Sequence, residues 1–357
     1  MFPRVVVDLN KLKHNLDYLT NLCCEQGIMT AIVTKVFCAD ERIVELIDSS
    51  SADMLADSRT QNLSGMKTEK PKLLLRIGMQ SEADRIVECA DISMQSELST
   101  IIKLNESAKR AGKLHRVILM IDMGDLREGI FNTEKSEILE TARAIHEAEN
   151  LELYGVGVNL TCYGGILPDE NNLGGLVKIA EMLRKELSEP IPVVSGGNSS
   201  TMSMLTDRSV PKGINHLRLG ESFVLGNDTA IGKPVPGLNT DCFILEAEIV
   251  ELKTKPSKPI GKSGPNAFGE YLEYPDRGLM KRAILGIGRQ DVIVDGLTPV
   301  DPEVEIIGAS SDHLIVNLTG CSHEYKVGDV IRFVPDYGAL LHLFTSKYVD
   351  MAYIDLK

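Results

Sequence analysis

The 357-residue chain carries 51 acidic and 38 basic residues, a formal charge of −13, with 43% hydrophobic and 25% charged residues. An acidic surface with no local basic stripe repels phosphate backbones and argues against nucleic-acid binding, and no apolar run approaches the roughly 20 residues that span a bilayer. The length suits about two domains, and the composition supplies enough apolar chain to bury a core.

Met1 to Lys13 contains Asp8, Lys11 and Lys13, where a signal peptide needs an unbroken apolar stretch. Cysteines at positions 23, 24, 38, 89, 162, 242 and 321 show no framework spacing. Reduced thiols in a cytoplasmic protein are expected.

Leu9, Leu12, Leu16, Leu19 and Leu22 recur at spacings of three and four until Gly27 offers a stop, which predicts a helix. Near-continuous apolar runs follow around 30–35, 53–56, 72–76, 91–94, 115–122, 153–159, 191–195 and 215–219. Helical patterns such as Glu134 to Asn150 and Leu173 to Glu189 lie between them. Such runs suit parallel strands covered on both faces. Alternation of this kind fits a (β/α)8 TIM-type barrel, an α/β fold, better than an open sheet. A Pro/Gly cluster, Gly232 to Gly237, reads as a linker. Beyond it, Cys242–Val250, Ala283–Ile287, Val304–Ile307, His313–Leu318 and Val330–Val334 are short β-type runs separated by turn residues, which predicts a smaller all-β domain. The expected division is a barrel over 1–236 and a β domain over 237–357, with residues 1–8 assignable to the latter.

Four segments carry chemistry. Lys35 closes the first barrel strand, and at its C-terminal end an amine faces the barrel mouth, where desolvation lowers its pKa. The bland alternative is a strand-end lysine reaching solvent. Ser195-Gly196-Gly197-Asn198-Ser199-Ser200 follows the seventh strand and suits a phosphate, or else is an ordinary capped turn. Arg218, with backbone N–H groups of Gly220 and Glu221, ends the eighth strand beside that turn. Arg127, after the fifth strand, suits bidentate binding of a substrate carboxylate. Either arginine alone is more often a structural ion pair. Other matches fail: Gly261-Lys262-Ser263 has Pro256 where a Walker loop needs glycine, and Gly286-Ile287-Gly288 lacks a third glycine and the βαβ setting. Cys321 and His323 have no second pair of metal ligands nearby in sequence.

The order of these segments resembles the fold-type III pyridoxal-phosphate enzymes, the alanine racemase family, over essentially the whole chain. The resemblance rests on Asp8-Leu9 through Asn15-Leu16, Lys35, Ala52-Asp53, Asp122-x-Gly124-x-x-Arg127-x-Gly129, Asn198-Ser199, Arg218-x-Gly220 and Gly308-Ala309-Ser310-Ser311-Asp312. Within the family the chain is most similar to the ornithine racemase branch, through Asn159–Gly165, Ser195–Ser199, Gly288–Val292 and Asp336-Tyr337-Gly338-Ala339-Leu340-Leu341.

The resemblance implies a homodimer with active sites at the subunit interface and pyridoxal phosphate held by Lys35 as a Schiff base. Asn198, Ser199, Arg218, Gly220, Glu221 and Ser346 are the expected cofactor residues. Arg127, Ser311, Asp312 and Asp336 are expected to meet the substrate, one of the aspartates taking the distal ammonium of ornithine. Arg218 facing the pyridine nitrogen keeps that nitrogen unprotonated and favours racemisation over transamination. The family's catalytic tyrosine is replaced by Arg289 in Gly288-Arg289-Gln290-Asp291, which leaves Tyr337, Tyr271, Tyr163 and Asp291 as candidates for the second base, Tyr337 first. Racemisation of another amino acid (alanine, lysine or serine) shares this chemistry. A metal-assisted lyase of the D-threonine aldolase or D-serine dehydratase kind is kept open by Asp312-His313 and Cys321-x-His323. A non-catalytic cofactor-binding protein resembles the barrel alone.

Overall fold

In the computed structural model, which describes residues 1–266 and 268–356, the chain forms two compact units, Lys11–Thr240 and Met1–Asn10 with Asp241–Lys357. In the first unit the barrel strands are Met29–Val33, Met54–Asp57, Lys72–Leu74, Ile92–Gln95, His115–Asp122, Leu151–Gly157, Val193–Ser195 and His216–Leu219. Each pairs in parallel with the next, and the ring closes where His216–Leu219 pairs with Met29–Ile32.

The interior is filled by Ala31, Val33, Met54, Ala56, Leu73, Ile92, Met94, Ile118, Met120 and Val193. Alternate residues along one strand point inward. Their neighbours Ile32, Leu55, Val117 and Leu119 point the other way and are equally buried, covered by the helices of the αβ repeat. Both faces are therefore dry, which is why these strands read as unbroken apolar runs. Each fully buried Leu or Ile contributes ~1.5–3 kcal/mol.

The helices follow the apolar spacing. Leu9–Cys24 buries Leu12, Leu16, Leu19 and Cys23 on one side. Glu170–Leu187 starts before its apolar stripe because Asp169 and Asn172 form a reciprocal capping box. One boundary differs from expectation: the first barrel strand stops at Val33, and Lys35 opens a 3-10 turn, Lys35–Phe37. Thr34 causes the departure, since its hydroxyl donates to Asp57 Oδ2 at 2.6 Å while its backbone turns out of the sheet at φ −93°, ψ −3°. The Pro/Gly cluster expected as a linker instead enters a short hairpin, in which Lys233–Pro234 pairs with Asn227–Asp228.

The second unit is a β structure built on the long strand Phe243–Pro256. Its first half pairs with Val330–Pro335 and, on the other side, with Arg4–Val7, while its second half pairs with Leu279–Leu285. Arg4–Asp8 also runs parallel to Asp350–Ile354. Phe243, Leu245, Ala247 and Ile249 alternate inward along the long strand and are fully buried. A helix, Tyr337–Thr345, interrupts the otherwise β arrangement expected from the sequence. Among the described residues, no helix is long and apolar enough to cross a membrane.

Barrel closure leaves no slack between the sixth and seventh strands. A Cβ on Gly155 would stand 2.5 Å from Val193 O and 2.7 Å from Val193 Cβ. Gly155→Ala is expected to lower stability by ~1–3 kcal/mol, read as a reduced thermal midpoint; an unchanged midpoint would show that the strands can separate freely.

Candidate active site

The C-terminal ends of the barrel strands and the loops after them bring together Lys35, Arg127, Asn198, Ser199, Arg218, Gly220 and Glu221, all within the first unit. The centre of the arrangement is Arg218, on the last strand and 3% exposed. One NH2 hydrogen goes to Val158 O and the other to Asn159 Oδ1, each at 2.7 Å, and NH1 donates to Ser195 Oγ. Among the described residues, Nε and the second NH1 hydrogen have no hydrogen-bond acceptor. Burial lowers the Arg218 pKa to about 10, which still leaves the guanidinium charged at neutral pH.

Ser195 accepts from Arg218, so its own hydrogen turns to His216 Nδ1, 2.7 Å away. His216 therefore carries its proton on Nε2. That atom is one of two buried side-chain polar atoms without a partner among the described residues, the other being Ser200 Oγ. Burial first, and then the neighbouring Arg218 charge, push the His216 pKa down to about 3. The imidazole is neutral, consistent with its place beside a cation.

Lys35 is also largely enclosed. Desolvation lowers its pKa, the Arg127 charge lowers it further, and Cys162, Asp57 and Glu221 act against both. Asp57, at the end of the second barrel strand, is fully buried, and burial raises its pKa against hydrogen bonds from Thr34, Arg59 N and Asn62.

Arg127 sits in the loop between Asp122 and Ile130. Gly129 brings that loop back with φ +118°, in a place where a Cβ would lie 2.5 Å from Asp122 N. Its side chain pairs with the adjacent Glu128, which raises the Arg127 pKa. Asp125 ties this loop to the next one, accepting the backbone N–H groups of Tyr163 at 2.9 Å, Ile166 at 3.1 Å and Cys162 at 3.2 Å. Burial works to raise Asp125, but these backbone donors outweigh it and hold the carboxylate below its usual range.

The turn after the seventh strand is partly occupied by its own contacts. Asn198 donates to Leu160 O at 3.1 Å and accepts from Ser200 N at 2.8 Å, so it fastens the neighbouring loop. Ser199 Oγ accepts from Gly220 N and Ser222 N. Glu221 opens the short helix Glu221–Leu225.

The remaining expected residues belong to the second unit. Tyr337 opens the helix that Asp336 caps through Ala339 N at 2.8 Å. Asp312 is exposed and bonded to Ser310, Ser311 and His313, while Ser346 Oγ donates to the buried Asp291 at 2.7 Å. The segments Gly288–Asp291 and Gly308–Asp312 meet backbone to backbone, Arg289 N on Ser310 O and Gln290 N on Ser311 O, each at 2.9 Å. Arg289 pairs with Glu270 and lies over the Phe268 ring. Among the described residues, no three His, Cys, Asp or Glu side chains come together as metal donors. Asp57 and Glu128 are site residues the sequence did not single out, and Ser195 was expected in a phosphate turn, not as an acceptor for Arg218. The only local signal was an acidic or hydroxyl group at or just after a strand end.

Pyridoxal phosphate needs a nucleophilic amine, a hydrogen-bonding partner for its ring nitrogen and hydroxyl or amide donors for its phosphate. Lys35 with its depressed pKa, Arg218 with uncommitted N–H donors and the orphaned Ser200 hydroxyl supply these three kinds of group. The donor set fits the cofactor.

The family model for the alanine racemase N-terminal domain matches residues 7–228. The chain is 49% identical over 351 residues to an ornithine racemase of Acetoanaerobium sticklandii, covering 98% of this chain and 99% of that protein. It is 37% identical over 356 residues to a lysine racemase of Thermotoga maritima, covering 99% of each. The crystal structure of alanine racemase from Bartonella henselae with covalently bound pyridoxal phosphate matches at a TM-score of 0.72 and 16% identity, covering 98% of this chain and 99% of that one. At that identity the likeness is one of fold.

The buried histidines make stability depend on pH. His216 at about 3 and His115 at about 4 both lie below the ordinary value of 6.5. The unfolded chain therefore binds more protons between those values, so their contribution is complete above pH 6.5 and is lost as the pH falls. Between pH 7 and pH 5 His216 alone should remove about 2 kcal/mol. His216→Asn is expected to flatten the fall in thermal midpoint across that range; an unaltered slope would contradict a neutral His216.

Proposed function

The chain belongs to the alanine racemase family, and from that footing we propose that it is a pyridoxal-phosphate-dependent racemase, an isomerase, that interconverts L- and D-ornithine. The observation that carries the substrate is the 49% identity to an ornithine racemase along nearly the whole of both chains. The barrel geometry supports the chemistry.

Bound pyridoxal phosphate supplies the electron withdrawal that acidifies the Cα hydrogen of an attached amino acid. Lys35 would hold the cofactor, and its amine would remove or return the proton on one face of Cα. Its depressed pKa keeps more of the amine uncharged at neutral pH and so competent as a base. Arg218, with Nε and one NH1 hydrogen not taken by protein acceptors, would hold the ring nitrogen. Ser199 and Ser200 lie in the turn that suits the phosphate. Arg127 uses Nε and NH2 on Glu128, so its NH1 edge is open to a substrate carboxylate.

Proton exchange on the opposite face needs a second group, which we assign to Tyr337 of a second copy of the chain. Asp291 is a weaker candidate because it is buried and held by Ser346. In this reading the protein is a homodimer. Seven cysteines, none in a disulfide, support a cytoplasmic location.

A distal ammonium requires an accessible carboxylate. Asp336 is committed to its helix cap, whereas the Asp312 side chain is exposed, so Asp312 is the better partner. Ser311 lies beside it.

Three measurements test this reading. Lys35→Ala is expected to abolish racemisation and the visible cofactor band together; racemisation persisting in that variant would remove Lys35 from the mechanism. Across L-ornithine, L-lysine and L-alanine, kcat/KM should be highest for ornithine, and a preference for alanine would overturn the substrate. Asp312→Asn should raise the KM for ornithine about tenfold, the loss of one charge-assisted hydrogen bond, while an unchanged KM would rule out the pairing.

A further inference from the structure

The position between Arg127 and Gly129 is left open by the Asp-x-Gly-x-x-Arg-x-Gly motif, yet the residue there accepts three side-chain hydrogen bonds at the barrel mouth. Glu128 Oε2 accepts from Arg127 Nε, Glu128 Oε1 accepts from Arg127 NH2 at 2.5 Å, and Oε1 also accepts from Asn159 Nδ2. Asn159 Oδ1 in turn takes the Arg218 NH2 hydrogen at 2.7 Å. The Asn159 amide can stand in only one orientation, because a carboxylate only accepts and a guanidinium only donates.

We propose that Glu128 is a positioning residue that, through Asn159, couples the arginine for the substrate carboxylate to the arginine for the cofactor ring. It touches neither ligand. It holds Arg127 side-on and so leaves the guanidinium's NH1 edge free for a second carboxylate. By fixing the Nδ2 side of Asn159 it also presents Oδ1 to Arg218, which needs a buried acceptor. Both Glu128 oxygens are thereby occupied by three N–H donors, so its carboxylate is not the partner of a substrate ammonium. The Glu128 charge also favours two neighbouring cations: it raises the pKa of Arg127 and works against the burial that lowers that of Arg218.

The proposal rests on the assignment of Arg127 and Arg218 given above and deepens it. Glu128→Gln keeps the shape but offers one acceptor oxygen to three donors and turns an NH2 group toward them. The full-length holoenzyme is titrated calorimetrically with pentanoate and with 5-aminopentanoate, two carboxylates lacking the α-amine, beside steady-state kinetics on L-ornithine and a thermal midpoint. Glu128→Gln should bind both carboxylates about tenfold less tightly and lose about tenfold in kcat. Asn159→Ala removes the link to Arg218 and one of the three donors to Glu128 but leaves the Arg127–Glu128 pair in place, so it should lose kcat while keeping carboxylate affinity within about twofold. Glu128→Asp, which keeps the charge but withdraws it by one methylene, should lose carboxylate affinity as Gln does, and serves if the Gln variant does not fold. Wild-type affinity and kcat in the Glu128 variants, or equal loss of affinity in Asn159→Ala, would overturn the coupling. If the unaltered protein binds the two carboxylates alike, the ornithine assignment fails instead, and the comparison between variants still stands.

Discussion

A guanidinium buried at the end of the last barrel strand constrains the whole mouth of the barrel. A desolvated cation without partners costs several kcal/mol, so Arg218 requires protein acceptors, and three of its five N–H groups find them. They come from different places: Val158 O and Asn159 Oδ1 just beyond the sixth strand, and Ser195 Oγ from the end of the seventh. Parallel pairing in the order six, seven, eight places those strand ends side by side. Closure of the barrel and solvation of Arg218 are thus satisfied by the same register.

Each acceptor has its own second partner, which spreads the constraint outward. Ser195 is turned by a neutral His216, whose pKa of about 3 keeps a second positive charge away from Arg218. Asn159 is turned by Glu128, and Glu128 holds Arg127. The amine of Lys35 then sits in the field of Arg127, which adds to desolvation in favouring its uncharged form. In the proposed reading, two arginines and one bridging carboxylate serve a site that binds an anionic carboxylate beside an amine. Asp125 fixes the loop opposite by occupying its backbone N–H groups.

Much of this was legible in the amino-acid order, and the part that was not has a physical reason. The eight barrel strands could be read because residues such as Ala31 and Ile32 face opposite sides and are both dry. Lys35, Arg127 and Arg218 could be read because each stands in a short motif at a strand end. Asp336 also had a readable local role, as a cap before an apolar helical run. The bonds from Glu128 to Asn159 and from Ser195 to His216 could not be read. They join residues 31 and 21 positions apart, whose adjacency exists only once the barrel has closed. For the N-terminal strand the domain was legible, since residues 1–8 were assignable to the β part, but its pairing of Arg4–Val7 with Phe243–Glu246 was not.

The proposed racemisation is reversible proton exchange at Cα, in which only the Cα–H bond is broken and re-formed. Polarimetry started from pure L-ornithine and, separately, from pure D-ornithine tests it most directly when total ornithine is assayed alongside. Both solutions should drift to zero rotation while the ornithine concentration stays constant. Consumption of one enantiomer alone, or loss of ornithine to a carbonyl product, would contradict it.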